Sequence, residues 1–411
     1  MLELKVEVEA GEVGFDAERL GRIDSHFARY VDDGRLPGWL ILVSRAGKIV
    51  HLGMYGQRDL ESGAPVELDT LFRIYSMTKL ITAVAAMMLY EEGAFELKDP
   101  VSRFIPAFGD MRVYRSGSAL KPVTEPAREP VRIWHLLTHT AGLTYGFHHA
   151  HPVDALYRAA GFEWGPPDGM DLAACCDAWA GLPLLFQPGS EWNYSVATDV
   201  LGRVIEVISG ARLDQFFAER IFEPLKMPDT RFWLPEADAG RLAAFYSPQP
   251  GTLCAVRNDA MDRVGRERPI CCLGGDGLIS TAADYHRFTQ MLRQGGELDG
   301  VRLLGNRTLR YMIQNHLPGG VDLESFGRAL FAETTFDGIG FGLGFSVVVD
   351  PVANKVLSSP GEFAWGGAAS TAFWVDPAED ITALLLTQLF PSSTHPLRPQ
   401  LRQLVYQALI D

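Results

Sequence analysis

Apolar positions recur with two different periods along this chain, and the period changes with position. Between residues 15 and 35, Leu20, Ile23, Phe27 and Tyr30 follow helical spacing and predict an amphipathic helix. Two extended apolar runs follow, 39–44 and 49–54, joined by Arg45, Ala46, Gly47 and Lys48, which is a hairpin signal. Near the other end, residues 342–349 and 370–375 read as strands. The turn-forming stretch 376–380 then leads into an apolar run at 381–388, predicting a second hairpin. Residues 396–410 close the chain as a helix with Leu397, Leu401, Leu404, Val405 and Leu409 on one face.

The middle differs. Residues 80–300 are dominated by helical patterns at 81–92, 198–209, 213–221 and 283–293, separated by Pro- and Gly-rich loops, notably 115–130 and 162–170. The simplest architecture is α/β (α+β): an antiparallel sheet flanked by helices, formed by both termini, with a mainly helical domain inserted. On that reading residues 1–80 and 275–411 build the sheet domain and 81–274 the helical one.

Composition narrows the function classes. With 411 residues, 47% hydrophobic and 21% charged, the chain has ordinary globular composition and ample length for a large core. Its 37 basic against 51 acidic residues give a net charge of −14, which repels phosphate backbones, so nucleic-acid binding has no electrostatic support. The longest apolar runs, 80–90 and 381–386, are too short to span a bilayer, and the charged N-terminus lacks a signal-peptide stretch. Five cysteines, an odd count with no Cys-x-x-Cys spacing, read as reduced core thiols in a cytoplasmic protein.

Three separated motifs carry candidate chemistry. Ser76 and Lys79 form a Ser-x-x-Lys pair, which alone is weak, because Ser118 and Lys121 match it too. Context separates the two. Ser118 lies in a polar Gly- and Pro-rich loop, whereas Ser76 follows a strand-like run and opens a strongly apolar helix with Leu80, Ile81, Val84, Met87 and Met88. Residues three apart share a helix face, so Lys79 can sit beside the Ser76 hydroxyl, and the helix N-terminus favours an oxyanion. A serine hydroxyl is a poor nucleophile until a base takes its proton, and a lysine serves as that base only when desolvated. Read alone, Ser76 is equally a helix cap and Lys79 a solvated first-turn residue.

The second motif runs from Pro188 and Gly189 to Tyr194, Ser195 and Val196, a turn that delivers an aromatic just before a helix. The third contains Trp365, Gly366, Gly367 and Ala368, opening the late strand. Paired glycines there permit close backbone approach to a ligand, and the next N–H can act as an oxyanion donor.

In order and spacing, the three motifs resemble those of the serine β-lactamases and penicillin-binding proteins. More narrowly, the chain is similar to the family VIII carboxylesterases, which look like class C β-lactamases. Further landmarks support this: His135 to Leu143, 221–230, 274–284 and 340–345, so the resemblance covers about residues 15–395. The resemblance implies an active site in the cleft between the two domains, with Ser76 acylated and Lys79 and Tyr194 sharing the general base and acid roles. It maps the oxyanion hole to the backbone N–H groups of Ser76 and Ala368.

Two departures shift the expected substrate. Class C enzymes carry Asn where this chain has Val196, and Lys where it has Trp365. Losing an amide and a cation weakens recognition of an acidic amide, while tryptophan offers apolar area. The expectation is therefore a serine carboxylesterase acting on neutral esters with small acyl groups. An acyltransferase using the same acyl-enzyme, or a β-lactamase- or DD-peptidase-like amide hydrolase, is the alternative. Tyr145, Gly366 and Gly367 are expected at the substrate and Asp199 behind the proton relay. His135 and His139, four apart, would share a helix face but lack a zincin glutamate; with His148, His149 and His151 they read as structural. No metal or organic cofactor is implied. The expected partner is a small ester substrate, and the sequence says nothing of oligomeric state.

Overall fold

The computed structural model describes residues 4–261, 264–328 and 335–410. Its centre is an eight-stranded antiparallel sheet. In chain order the strands are β1 (Gly38–Arg45), β2 (Lys48–Asp59), β3 (Ala64–Pro65), β4 (Ile339–Phe341), β5 (Ser346–Val348), β6 (Phe363–Gly366), β7 (Ala372–Asp376) and β8 (Ile381–Leu386). Their spatial order is β4-β5-β6-β7-β8-β1-β2-β3. N- and C-terminal segments therefore meet at the β8–β1 pair, where Leu40 faces Leu386 and Leu42 faces Leu384.

Alternation along these strands feeds two separate cores, because successive side chains point to opposite faces. Leu40, Leu42, Phe373, Val375, Leu384 and Leu386 enter the larger core. Trp39, Ile41, Val43, Trp374, Ile381, Ala383 and Leu385 enter the smaller one on the other face. Two terminal helices close that smaller core. Helix α1 (Arg22–Asp32) contributes Ile23, Phe27 and Tyr30, and the last helix (Leu397–Tyr406) contributes Leu397, Leu401 and Val405. The expected helix over 15–35 is thus divided, with a separate turn at Ala17–Leu20 before Gly21.

On the opposite face lies α2 (Thr78–Glu91), in which every side chain from Thr78 to Leu89 is buried. A helix apolar all round belongs in the middle of a core, and this one has no solvent face to give it amphipathic character. It packs against α3 (Ala197–Ser209), and α4 (Ala282–Arg293) packs on β7 and β8. No helix among the described residues is long and apolar enough to cross a membrane.

Two loop and strand expectations are corrected. The expected strand at 342–349 is a hairpin, β4 returning through 342–345 into β5. Gly344 sits at φ +103°, and a Cβ there would collide with the Ala83 methyl on α2, so the chain must reverse where its pattern reads as continuous. The expected loop at 115–130 contains a hairpin, Arg112–Ser118 with Lys121–Pro126. Most of its residues are exposed, so it has no apolar alternation to betray it. The decoy pair Ser118 and Lys121 are partners across that surface hairpin. Cys175, Cys176 and Cys272 are buried free thiols, while Cys254 and Cys271 are partly exposed.

Because Gly344 combines a left-handed backbone with contact against α2, Gly344→Val is expected to destabilise the fold by about 2–4 kcal/mol. Chemical denaturation of the variant beside the parent chain measures this.

Candidate active site

Ser76 lies in a single turn, Tyr75–Met77, immediately before α2. Tyr75 holds φ +43°, a strained value for a side chain of its size, and the bend presents the half-buried Ser76. The turn is tied down on the 274–280 segment: the Ile74 N–H donates to the Leu278 carbonyl at 3.0 Å, and the Leu278 N–H donates to Thr78 Oγ1 at 3.3 Å. Residues Phe72 and Arg73 also pair with Ser280 and Ile279.

That attachment places the Gly275 carbonyl over the first turn of α2. Lys79 is almost wholly buried, and its Nζ donates to Gly275 O at 2.7 Å and to Ser76 Oγ at 3.3 Å. Glycine at 275 keeps this approach free of crowding, since a Cβ would stand 3.1 Å from Lys79 Nζ and 3.0 Å from Asp199 Oδ1 and make both side chains give. The Gly275 N–H in turn donates to Asp199 Oδ1 at 2.7 Å. One residue, Gly275, therefore links the lysine and the aspartate through its carbonyl and its N–H. Burial pushes the Asp199 carboxyl up to about 6, with the Lys79 charge pulling the other way.

Tyr194 completes the group from the turn before α3. Its ring centroid lies 4.6 Å from Lys79 Nζ, close enough for a cation–π contact. The turn is pinned by Asn193, whose N–H donates to the His139 carbonyl at 2.9 Å and whose amide donates to Leu143 O at 3.0 Å. His139 also packs on the Tyr194 ring, 5.0 Å between centroids, and its Nδ1 lies 3.2 Å from Ser195 Oγ. Burial lowers this imidazole well below its ordinary range, so it supports Tyr194 as a neutral ring. The shared helix face expected for His135 and His139 is not formed. The helix ends at Leu137, and His139 takes a left-handed φ of +55°.

Ser76, Lys79, Tyr145, Tyr194, Val196, Asp199 and Ala368 line one cavity of about 100 Å³. Three expected substrate residues stand elsewhere. Trp365 leans on Tyr194, 5.5 Å between centroids, with its Nε1–H directed at the phenol oxygen at 3.4 Å. Gly366 leaves room for the Arg398 guanidinium, and Gly367 for the Ile74 carbonyl. The two glycines thereby let the β6–β7 turn close onto the Ser76 segment, which brings Ala368 into the cavity wall. Arg398 fastens that turn by donating to the Gly367 and Thr371 carbonyls at 2.8 and 3.0 Å.

Sequence reasoning passed over Phe147, Trp164, Phe390 and Asp276, all of which line the cavity. The first three are isolated aromatics in irregular segments. Only the Gly-Gly-Asp-Gly run around Asp276 marked its neighbourhood, as a landmark without an assigned role.

Residues 23–407 match the β-lactamase family. Protein Rv1367c of Mycobacterium tuberculosis is 40% identical over 364 residues, 88% of each chain. Esterase EstB of Burkholderia gladioli is 32% identical over 413 residues, covering 95% of this chain and 96% of its own. Among solved structures, EstCE1, titled a hydrolase with promiscuous acyltransferase activity, superposes with a TM-score of 0.78 at 27% identity, over 95% of this chain and 98% of its own. Because both the family match and the EstB similarity run through nearly the whole length, the chain belongs to the β-lactamase family.

Proposed function

We propose that this chain is a serine carboxylesterase that hydrolyses short-chain acyl esters through an acyl-enzyme on Ser76. The observation that carries the reading is the 3.3 Å approach of Lys79 Nζ to Ser76 Oγ at the wall of a small cavity. Similarity to EstB, an esterase by name, and to EstCE1, a hydrolase by title, supports it.

In the proposed cycle the Lys79–Tyr194 pair, with one of its two groups deprotonated, accepts the Ser76 hydroxyl proton as Oγ bonds to the ester carbonyl carbon. The N–H groups of Ser76 and Ala368 hold the resulting oxyanion. The carbon–alkoxide bond then breaks, and the departing oxygen takes the proton back from the pair. Water repeats the sequence in reverse: it loses a proton to the pair, attacks the acyl carbon and frees Ser76. A cavity of about 100 Å³ beside Ser76 suits a short acyl chain rather than a long one. Transfer of the acyl group to an alcohol is the second reading, favoured by the apolar aromatic mouth and the similarity to EstCE1. With added alcohol, a new ester in the products identifies transfer.

A serine-directed phosphonate is expected to add a single adduct, located at Ser76 by mass spectrometry. Ser76→Ala should reduce turnover of aryl acetates to background, and Lys79→Ala should lower kcat by about 100- to 10,000-fold. An adduct on another residue, or full activity in the serine variant, contradicts the reading.

Asp199 gives a prediction with a pH sign. Its folded value, raised from 3.8 to about 6, means that its contribution to stability is complete below about pH 4 and is lost as pH rises through 6. Asn at this position keeps an acceptor for the Gly275 N–H and removes the buried charge. The stability of Asp199→Asn relative to the parent chain is therefore expected to rise by about 2–3 kcal/mol between pH 4 and pH 8. The same variant should lose activity, since the lysine then lacks its counter-charge. Thermal melts across pH, run beside ester kinetics, check both halves.

A further inference from the structure

The cavity beside Ser76 carries more acid than base. Its lining includes Lys79, Asp199 and Asp276, with Glu163 at the exposed rim. Asp199 answers Lys79, the two bonding to the N–H and the carbonyl of Gly275. Asp276 is then in excess over the one ammonium of the wall, while Glu163 at the rim lies 3.3 Å from His149 Nε2. Asp276 Oδ1 accepts from the Gly277 N–H at 2.6 Å. Burial pushes its carboxyl up to about 6, so at neutral pH it is ionised and poorly solvated.

The rest of the wall is aromatic and ordered. Tyr145 stacks on Phe147 with centroids 4.7 Å apart, and Phe147 stacks on Trp164 at 5.3 Å and 6°. Phe390 meets Trp164 edge-on at 5.7 Å. Such rings already receive one cation here, since Lys79 Nζ lies 4.6 Å from the Tyr194 centroid and 5.5 Å from that of Tyr145. A ring face attracts a cation through its quadrupole, and a desolvated carboxylate beside it adds a full charge.

We propose that this cavity selects esters bearing a quaternary or protonated ammonium group, received by Asp276 and the rings of Tyr145, Phe147 and Trp164 while the ester carbonyl faces Ser76. The proposal rests on the esterase reading and extends it from neutral to cationic substrates. A neutral ester gains only the apolar contact, and an acidic one meets the surplus carboxylate.

The test is competitive inhibition of p-nitrophenyl acetate turnover by choline and by dimethylbutanol, its uncharged carbon isostere. Choline is expected to inhibit about tenfold more tightly, and Asp276→Asn to shrink that ratio by about fivefold. Trp164 is 54% exposed, so Trp164→Ala leaves the core closed; it should weaken choline more than the alcohol. Equal inhibition by the two ligands, or a ratio unmoved in both variants, overturns the proposal. If the parent chain turns over no aryl ester, the esterase reading falls separately. Quenching of tryptophan fluorescence by the same two ligands then decides between a cavity that prefers the cation and one that does not.

Discussion

A lysine ammonium held at the first turn of an all-apolar helix is the constraint to which the surrounding structure answers. Removing such a charge from water costs several kcal/mol unless fixed dipoles and counter-charges replace the solvent. Here the Gly275 carbonyl, the Asp199 carboxyl behind it and the faces of Tyr194 and Tyr145 supply that replacement. They come from three separate parts of the chain, at 145, 194–199 and 275, so this replacement for water exists only once the fold is complete. The Ser76 hydroxyl lies beside the lysine at the wall of the cavity.

The two-core construction serves that end. Strands β1, β7 and β8 are buried on both faces, which makes the sheet a rigid plate between the terminal helices and α2. Glycines are placed where backbone must approach backbone or side chain: Gly344 on α2, Gly367 on the Ile74 carbonyl, and Gly275 between lysine and aspartate. The approaches at Gly344 and Gly367 do not tolerate a Cβ and the one at Gly275 is crowded by it, so steric fit helps fix Ser76 relative to Ala368 and Lys79 beside the hydrogen bonds.

The site also keeps features that stability alone would discard. Asp199 and Asp276 are both raised to about 6 by burial, and Tyr75 keeps a left-handed backbone next to the serine. Buried carboxyls and strained residues gather where a site needs charge and orientation. The larger groove between Phe222 and Arg287 holds a raised carboxyl too, Asp284 at about 6 with Thr230 Oγ1 donating to it at 2.9 Å; what sets the small cavity apart is the approach of Lys79 Nζ to Ser76 Oγ among aromatic rings.

What the sequence determined by itself was whatever depends on local periodicity. The β1–β2 hairpin, the β7–β8 hairpin, the amphipathic terminal helices and the apolar helix behind Ser76 all follow from side-chain spacing within one element. The same spacing distinguished Ser76 from Ser118, since only one of them precedes a helix that could be buried. Tertiary structure decided the rest. The reversal at Gly344 is imposed by contact with Ala83, the left-handed turn at His139 by packing against Trp192, Tyr194 and Phe341, and the position of Trp365 by Tyr194. Asp276, Phe147, Trp164 and Phe390 share no period and no motif; they meet because distant irregular segments are folded onto one cavity, and residue spacing within a segment contains no record of that.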